Sequence, residues 1–203
     1  MERYEIVRKE QLTVARWSGG TTTQLAIWPP EGDYARRSFT WRVSSARVED
    51  EESTFTSLPG VERCLMILEG TLRLCHEGHY ETVLHPFEQD NFSGDWTTRS
   101  WGRVTDFNLM VKGGEGRVQV IELTSTPCEV PLMPVVEGWR CVSEVFYLLC
   151  EAEVGLPDGQ CARLHAGDVL QLHAGAPLGA QTLTLRGCSR ETAGGAFVAV
   201  AGK

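Results

Sequence analysis

Two arginines stand where the interior of a sheet should be. Arg42 lies in the middle of Phe39–Ser45, a run of aromatic, β-branched and small residues, and Arg63 sits at the head of the apolar run Glu62–Leu68. Successive side chains of a strand point to opposite faces. Arg42 therefore shares a face with Ser44, while Trp41, Val43 and Ser45 share the other. A guanidinium among buried neighbours is unfavourable unless something pairs with it. Either a carboxylate of the protein does so, with Glu69 and Asp106 as candidates, or the two arginines form a fork that receives the carboxylate of a ligand.

A third polar group points the same way. Asp106, Asn108 and Met110 fall on one face of the strand candidate Arg103–Lys112, with Phe107, Leu109 and Val111 opposite. Asp and Asn are poor strand residues, so two on one face suggest either a polar interior or a turn. Asn108 can both donate and accept hydrogen bonds, which suits direct contact with a carboxylate or amide. Asp106 is expected to act behind it, on Arg42 or on nearby backbone. Gly19, Gly20 and the run Thr21, Thr22, Thr23 offer backbone N–H groups and hydroxyls, and glycine permits close backbone approach. No Gly-Lys-Ser/Thr follows, so this is not a phosphate loop.

Positioning these side chains takes sheets. The chain has 203 residues, which fits one large β domain or two small ones. Its 21 glycines fall between short apolar runs, the mark of many turns and an all-β fold. Strands are expected over Thr21–Trp28, Phe39–Ala46, Glu62–Leu68, Thr71–Cys75, Tyr80–Leu84 and Arg103–Lys112, with turns at His76–His79 and Phe92–Asp95. The second half echoes the first. Glu144–Cys150 resembles Cys64–Leu68, Leu164–Asp168 precedes the strand Val169–Leu172 as Phe92–Asp95 precedes its own, and Leu-His-Ala-Gly occurs at 164 and at 172. Two related β modules follow, 1–122 and 123–203, joined across Glu122–Glu137 by a segment carrying Pro127, Pro131 and Pro134.

Charge and cysteines narrow the partners. A formal charge of −8 repels phosphate backbones and anionic membrane surfaces, so neither nucleic acid nor membrane is expected. The N-terminus MERYEIVRKEQ lacks the apolar core of a signal peptide, and no apolar run approaches the ~20 residues that span a bilayer. The seven cysteines are odd in number and form no Cys-x-x-Cys pair. Most of them read as buried reduced thiols of a cytoplasmic protein. The acidic run Glu49–Glu52 reads as a solvated loop.

An ordered series of motifs resembles the HutD/Ves family over roughly the first 110 residues. Trp17-Ser-Gly-Gly-Thr-Thr-Thr-Gln24 is similar to its Trp-Gly-Gly-Thr segment, and Phe39-Thr-Trp-Arg-Val-Ser44 to its Phe-x-Trp-Arg-x-Ser strand. Phe55 through Arg63, then Leu68-Glu-Gly70, Phe92-Ser-Gly-Asp95 and Asp106–Met110, complete the series. The resemblance implies a bicupin, two RmlC-like jelly-roll β-barrels in one chain. It also implies a bacterial protein tied to histidine utilisation or its regulation through a small acidic metabolite such as formylglutamate. Ser18 and the pair Thr23-Gln24 depart from the residues common at those places.

Many cupins hold a metal through His-x-His. Here His76, His79, His85, His165 and His173 form no such pair, and Glu62-Arg-Cys-Leu-Met66 follows Val61 with no histidine. His76 and His79 are expected in an exposed turn. No metal or other cofactor is expected, and metal-dependent chemistry loses its Lewis acid. The resulting expectation is a binding protein for a small carboxylate metabolite. Arg42, Arg63, Asn108, Ser44, Thr21, Thr22, Thr23, Trp17 and Met110 would contact the ligand, supported by Glu69, Asp106 and Gln24. The alternatives are a metal-independent isomerase, epimerase or lyase using the same pocket, and a structural or partner-binding protein whose pocket is vestigial. A homodimer is compatible with the sequence.

Overall fold

The structure is a computed structural model describing residues 4–132, 142–156, 158–174, 182–188 and 194–197. The chain is all-β: its elements are strands and one 3-10 turn, Lys9–Gln11, with no α-helix among the described residues. No helix among them is long and apolar enough to cross a membrane. The chain divides into two compact units, Thr13–Arg117 and a second made of Met1–Leu12 together with Val118–Lys203. The first strand, β1 (Tyr4–Val7), belongs to the second unit, so a linear cut at 122/123 separates it from its pairing partner, the strand Val169–Ala174.

The Thr13–Arg117 unit contains β2 (Thr13–Trp17), β3 (Gly20–Trp28), β4 (Trp41–Val48), β5 (Glu52–Thr54), β6 (Val61–Glu69), β7 (Leu72–His76), β8 (Tyr80–Leu84), β9 (Gln89–Ser93), β10 (Thr98–Trp101) and β11 (Val104–Lys112). They form a six-stranded sheet, β2-β3-β4-β11-β6-β9, and a four-stranded one, β5-β10-β7-β8, antiparallel throughout. Alternation gives each sheet an apolar face. Leu65, Ile67 and Phe92 of the larger sheet meet Leu72, Leu74 and Leu84 of the smaller in one cluster. The turn from β6 to β7 needs Gly70: its φ is +87°, and a Cβ there would lie 2.5 Å from the Arg103 carbonyl oxygen.

His76 corrects the expectation of an exposed turn. It closes β7 and is 1% exposed, and the turn begins at Glu77. Its Nδ1 lies 2.8 Å from Thr98 Oγ1, its Nε2 2.8 Å from Asp90 Oδ2, and the Tyr80 hydroxyl donates to Asp90 Oδ1 at 2.9 Å. The rings of Phe92, Tyr80 and Trp96 surround it at 4.5, 4.7 and 5.5 Å. An inward histidine backed by a carboxylate is therefore present in the first unit, contrary to the sequence reading. The apolar alternation of β7 simply continues one residue further than the polar letters suggest. Replacing it with alanine opens a cavity and strands the Thr98 hydroxyl. A loss of about 3 kcal/mol is expected, read as a lowered urea midpoint; an unchanged midpoint would show that the network adds nothing.

The second unit contains β1 with β12 (Val120–Leu123), β13 (Cys128–Pro131), β14 (Val142–Tyr147), β15 (Ala152–Gly155), β16 (Cys161–Leu164), β17 (Val169–Ala174), β18 (Thr182–Gly187) and β19 (Gly194–Phe197). Its sheets are β13-β18-β15-β16, β1-β17-β14 and β12-β19. The first of these repeats the order β5-β10-β7-β8 with each number raised by eight, and β14–β17 repeats β6–β9.

The repeat holds in a register other than the expected one. Leu84-His-Pro-Phe-Glu88 matches Leu164-His-Ala-Gly-Asp168. The His85 amide donates to Glu88 Oε2 at 2.8 Å, and the His165 amide to Asp168 Oδ2 at 2.9 Å. The Phe87 amide donates to Ile67 O, and the Gly167 amide to Leu148 O, each at 2.7 Å. Phe87 takes φ +68° where the second copy has Gly167 at +95°. Phe92 and Ser93 belong to β9 rather than to a turn, because Phe92 is core. The second Leu-His-Ala-Gly lies in β17, with Gly175 outside the described residues. In the expected connector, β13 ends on Pro131 at a sheet edge, where a missing N–H is tolerated; Pro134 lies outside the described residues. The cysteines among the described residues are free thiols, but against the expectation of burial only Cys64 and Cys150 are buried, while Cys161 and Cys188 are exposed.

Candidate functional site

Arg42, Ser44, Arg63, Asp106 and Asn108 converge on one cavity of about 360 Å³ in the Thr13–Arg117 unit. Strand register explains the convergence. Met110 of β11 lies opposite Arg42 of β4 on one side and opposite Arg63 of β6 on the other. The two arginines thus form one row across three strands, their Cα atoms roughly 10 Å apart by strand spacing. The next row holds Ser44, Asn108 and Leu65, and the one after it Ala46, Asp106 and Ile67. Along β6 the inward face changes from Arg63 to Leu65 and Ile67, so the cavity passes directly into the apolar core.

Neither arginine is paired with a carboxylate among the described residues. Arg42 is 6% exposed; its Nε donates to Gln24 Oε1 at 3.0 Å, its Nη1 to Ser44 Oγ at 3.1 Å, and its guanidinium lies 4.3 Å from the Tyr34 ring centroid. Arg63 is 7% exposed and rests on two rings, 4.7 Å from the Phe55 centroid and 5.3 Å from that of Phe92. Its Nε has no hydrogen-bond partner, and neither has Asn108 Oδ1, though both are buried. Burial lowers both guanidiniums, against the pull of Tyr34 and Asp106, and brings Arg63 down to about 10.

Asp106 answers the question of what the arginines do to each other's neighbours. Its Oδ1 accepts the Ala46 amide at 3.1 Å, so it fixes backbone rather than an arginine. Burial pushes its carboxyl up to about 7, and the Ala46 N–H, Arg63 and Arg42 oppose that shift without cancelling it. Glu69, the other carboxylate considered, is exposed outside the cavity and accepts the Thr105 hydroxyl at 3.2 Å.

Of the expected contact residues, Arg42, Arg63, Asn108, Ser44, Met110, Thr22 and the half-exposed Trp17 line the cavity, and Asp106 joins them. Thr21 and Thr23 do not line it; the two-residue period of β3 turns them to its other face, leaving Thr22 and Gln24 on the arginine side. A bulge between Gln24 and Ala26 then ends that phase. Sequence reasoning missed Tyr34, on the loop before β4, and assigned no role to Phe55, just after β5. An aromatic residue in a loop flanking a strand that carries an unpaired arginine was the available signal, since rings accept cations on their faces. Among the described residues, no group of three His, Cys, Asp or Glu side chains could hold a metal ion.

A model of the HutD family matches residues 9–190. Protein Ves of Citrobacter koseri is 31% identical over 133 residues, 62% of this chain and 66% of that protein. An uncharacterised 21.2 kDa protein in the hutC 3' region of Pseudomonas putida is 29% identical over 116 residues, 54% of this chain and 59% of that protein. The matches thus span somewhat less than two thirds of these curated relatives. Among solved structures, a conserved protein of unknown function from Pseudomonas aeruginosa PAO1 superposes with a TM-score of 0.78 at 23% identity, covering 98% of each chain. HutD from Pseudomonas fluorescens SBW25, in a formate condition, gives 0.73 at 19%, covering 98% of this chain and 99% of that one. An oxalate decarboxylase from Lactobacillus farciminis, in a formate complex, gives 0.60 at 10%, covering 97% and 85%. These likenesses establish a shared cupin-like β fold.

Proposed function

The chain belongs to the HutD family, and on that premise we propose a metal-free binding protein that seats a small carboxylate-bearing metabolite in the cavity of the Thr13–Arg117 unit. One observation carries the reading: two buried guanidiniums without a carboxylate, with Arg63 Nε and Asn108 Oδ1 left unpaired in the same cavity. A buried donor and acceptor without partners are unfavourable in the empty protein and favourable when a ligand completes them. A carboxylate satisfies the arginines, and an N–H on the same molecule satisfies Asn108. An N-acyl amino acid of the formylglutamate kind carries both. The protein would sense or sequester it in the cytoplasm, in histidine utilisation or its regulation. Its two units would be tandem RmlC-like jelly-roll barrels, a reading supported by their repeated strand order.

The competing reading, a metal-independent isomerase, epimerase or lyase, rests on Asp106, a cavity carboxyl that exchanges its proton near neutrality. The His76–Asp90 pair gives it no support, because neither residue lines the cavity.

A thermal-shift screen with glutarate, formate and N-formyl-L-glutamate tests the binding reading, since a bound acid raises stability by mass action. Arg42→Met is expected to weaken the effective acid roughly tenfold to a hundredfold, with Arg42→Lys a poor rescue, because a lysine cannot serve Ser44, Gln24 and a ligand from one planar fork. Equal stabilisation of wild type and Arg42→Met would sink the clamp. Turnover of any of these acids would move the enzyme reading ahead.

A further inference from the structure

Among the described residues lining the cavity, Asp106 carries the single carboxylate. It is 5% exposed, makes no ion pair, and has one oxygen tied to the Ala46 amide. It stands in file with Asn108 and Met110 on β11, two positions beyond Asn108 from the arginine row. The charges that act on it are those of Arg42 from β4 and Arg63 from β6. β2 brings Arg16 to the cavity and the loop before β4 brings Tyr34; β3, through Thr22, and the segment Ser53–Thr56 bring no ionisable group.

We propose, resting on the binding reading above, that Asp106 takes up one proton from solvent when a dicarboxylate enters the cavity. An acid seated on the arginines withdraws from Asp106 the positive field that keeps it ionised, and adds a like charge beside it. Two carboxylates in one enclosed site do not both stay ionised. The proton goes to the Asp106 oxygen not held by Ala46, which changes from acceptor to donor. That donor faces the far end of the ligand, where a second carboxylate or an acyl oxygen accepts it. The cavity thereby selects a diacid over an amino acid of equal length, whose ammonium would need Asp106 ionised. The free protein is poised for this exchange, because burial already holds the carboxyl near 7.

The sign follows from linkage. Affinity for a diacid is low above the pKa of Asp106 in the complex. It rises as pH falls between that value and the pKa in the free protein, and levels off below about 7. The test is calorimetry with glutarate and with 4-aminobutyrate at pH 6 to 8.5, in buffers of different ionisation enthalpy, on wild type and Asp106→Asn. Expected are uptake of about one proton per glutarate near pH 8, affinity tightening by up to roughly tenfold per pH unit in that window, and weaker binding of 4-aminobutyrate. Asp106→Asn, which keeps an acceptor for Ala46, should bind glutarate with no uptake and no such slope. Carbon-13 titration of the Asp106 carboxyl in wild type, free and glutarate-loaded, should show the midpoint rising on loading and does not depend on the variant folding. Glutarate binding with no proton uptake, the same pH slope in the variant, an unmoved midpoint, or a preference for 4-aminobutyrate overturns the proposal while leaving the binding reading intact. If no acid binds either protein, both fall together.

Discussion

Arg63→Met is expected to abolish acid binding and, at the same time, to stabilise the ligand-free protein. The guanidinium is buried, rests on Phe55 and Phe92, has no carboxylate partner and leaves its Nε unpaired. Burial lowers its pKa from 12.5 to about 10, which at 1.36 kcal/mol per unit corresponds to ~3 kcal/mol against the charged form. The two ring contacts return part of that, at roughly 0.5–2 kcal/mol. Methionine fills the space without a charge and packs well on aromatic rings. A net gain on the order of 2 kcal/mol follows, or about 5 °C in a protein of this size. Binding should fall at least about a hundredfold, since a desolvated fork of charge-assisted bonds is lost. Calorimetric melting in buffer free of carboxylate, phosphate and sulfate reads the first effect, and glutarate titration the second. A variant that melts lower than wild type would make Arg63 a structural residue and remove the strongest argument for a ligand.

Asp106→Asn should alter how stability depends on pH by a comparable amount. The carboxyl stands near 7 in the folded protein against an ordinary 3.8. Between those values the folded state keeps a proton that the unfolded chain has released. Its contribution is therefore complete below pH 3.8 and is lost as pH rises through 7. The swing is up to about 4 kcal/mol, from roughly three units at 1.36 kcal/mol each. Other titrating groups act on both proteins alike, so the difference between wild type and variant isolates this residue. Without ligand, the variant should gain steadily on the wild type from pH 5 to about pH 7 in urea unfolding and level off above it. Parallel profiles would show that Asp106 is ionised in the folded state well below neutrality.

The side chains of the cavity were legible in the sequence where a period of two could be applied to long strands. Arg42 with Ser44, and Asp106 with Asn108 and Met110, fell on one face each and proved to be the same face. The same rule separates Thr22 from Thr21 and Thr23, and treating those three as a donor-rich loop hid it. Tyr34 and Phe55 come from segments without a repeat, where no local pattern tells which way a ring turns. His76 was lost to composition: His-Glu-Gly-His reads as polar surface, yet its partners, the buried Thr98 and the partly buried Asp90, lie far along the chain. The all-β class followed from local turn chemistry. The pairing of β1 with β17 did not, because nothing near Tyr4 announces a partner at Leu172.

That pairing has a consequence for how the protein is made. The cavity unit is one uninterrupted stretch, Thr13–Arg117, whereas the other draws on the segments to either side of it. A ribosome adding ~5–20 residues per second takes several seconds to travel from Arg117 to Leu172. Through that interval the nascent chain can hold a finished arginine cavity while the Tyr4–Val7 segment waits with its edge open. Any acid that binds the cavity could engage it before synthesis ends. Changes near the N-terminus would then be felt last, in the closing of the late unit, rather than in the site they precede in sequence.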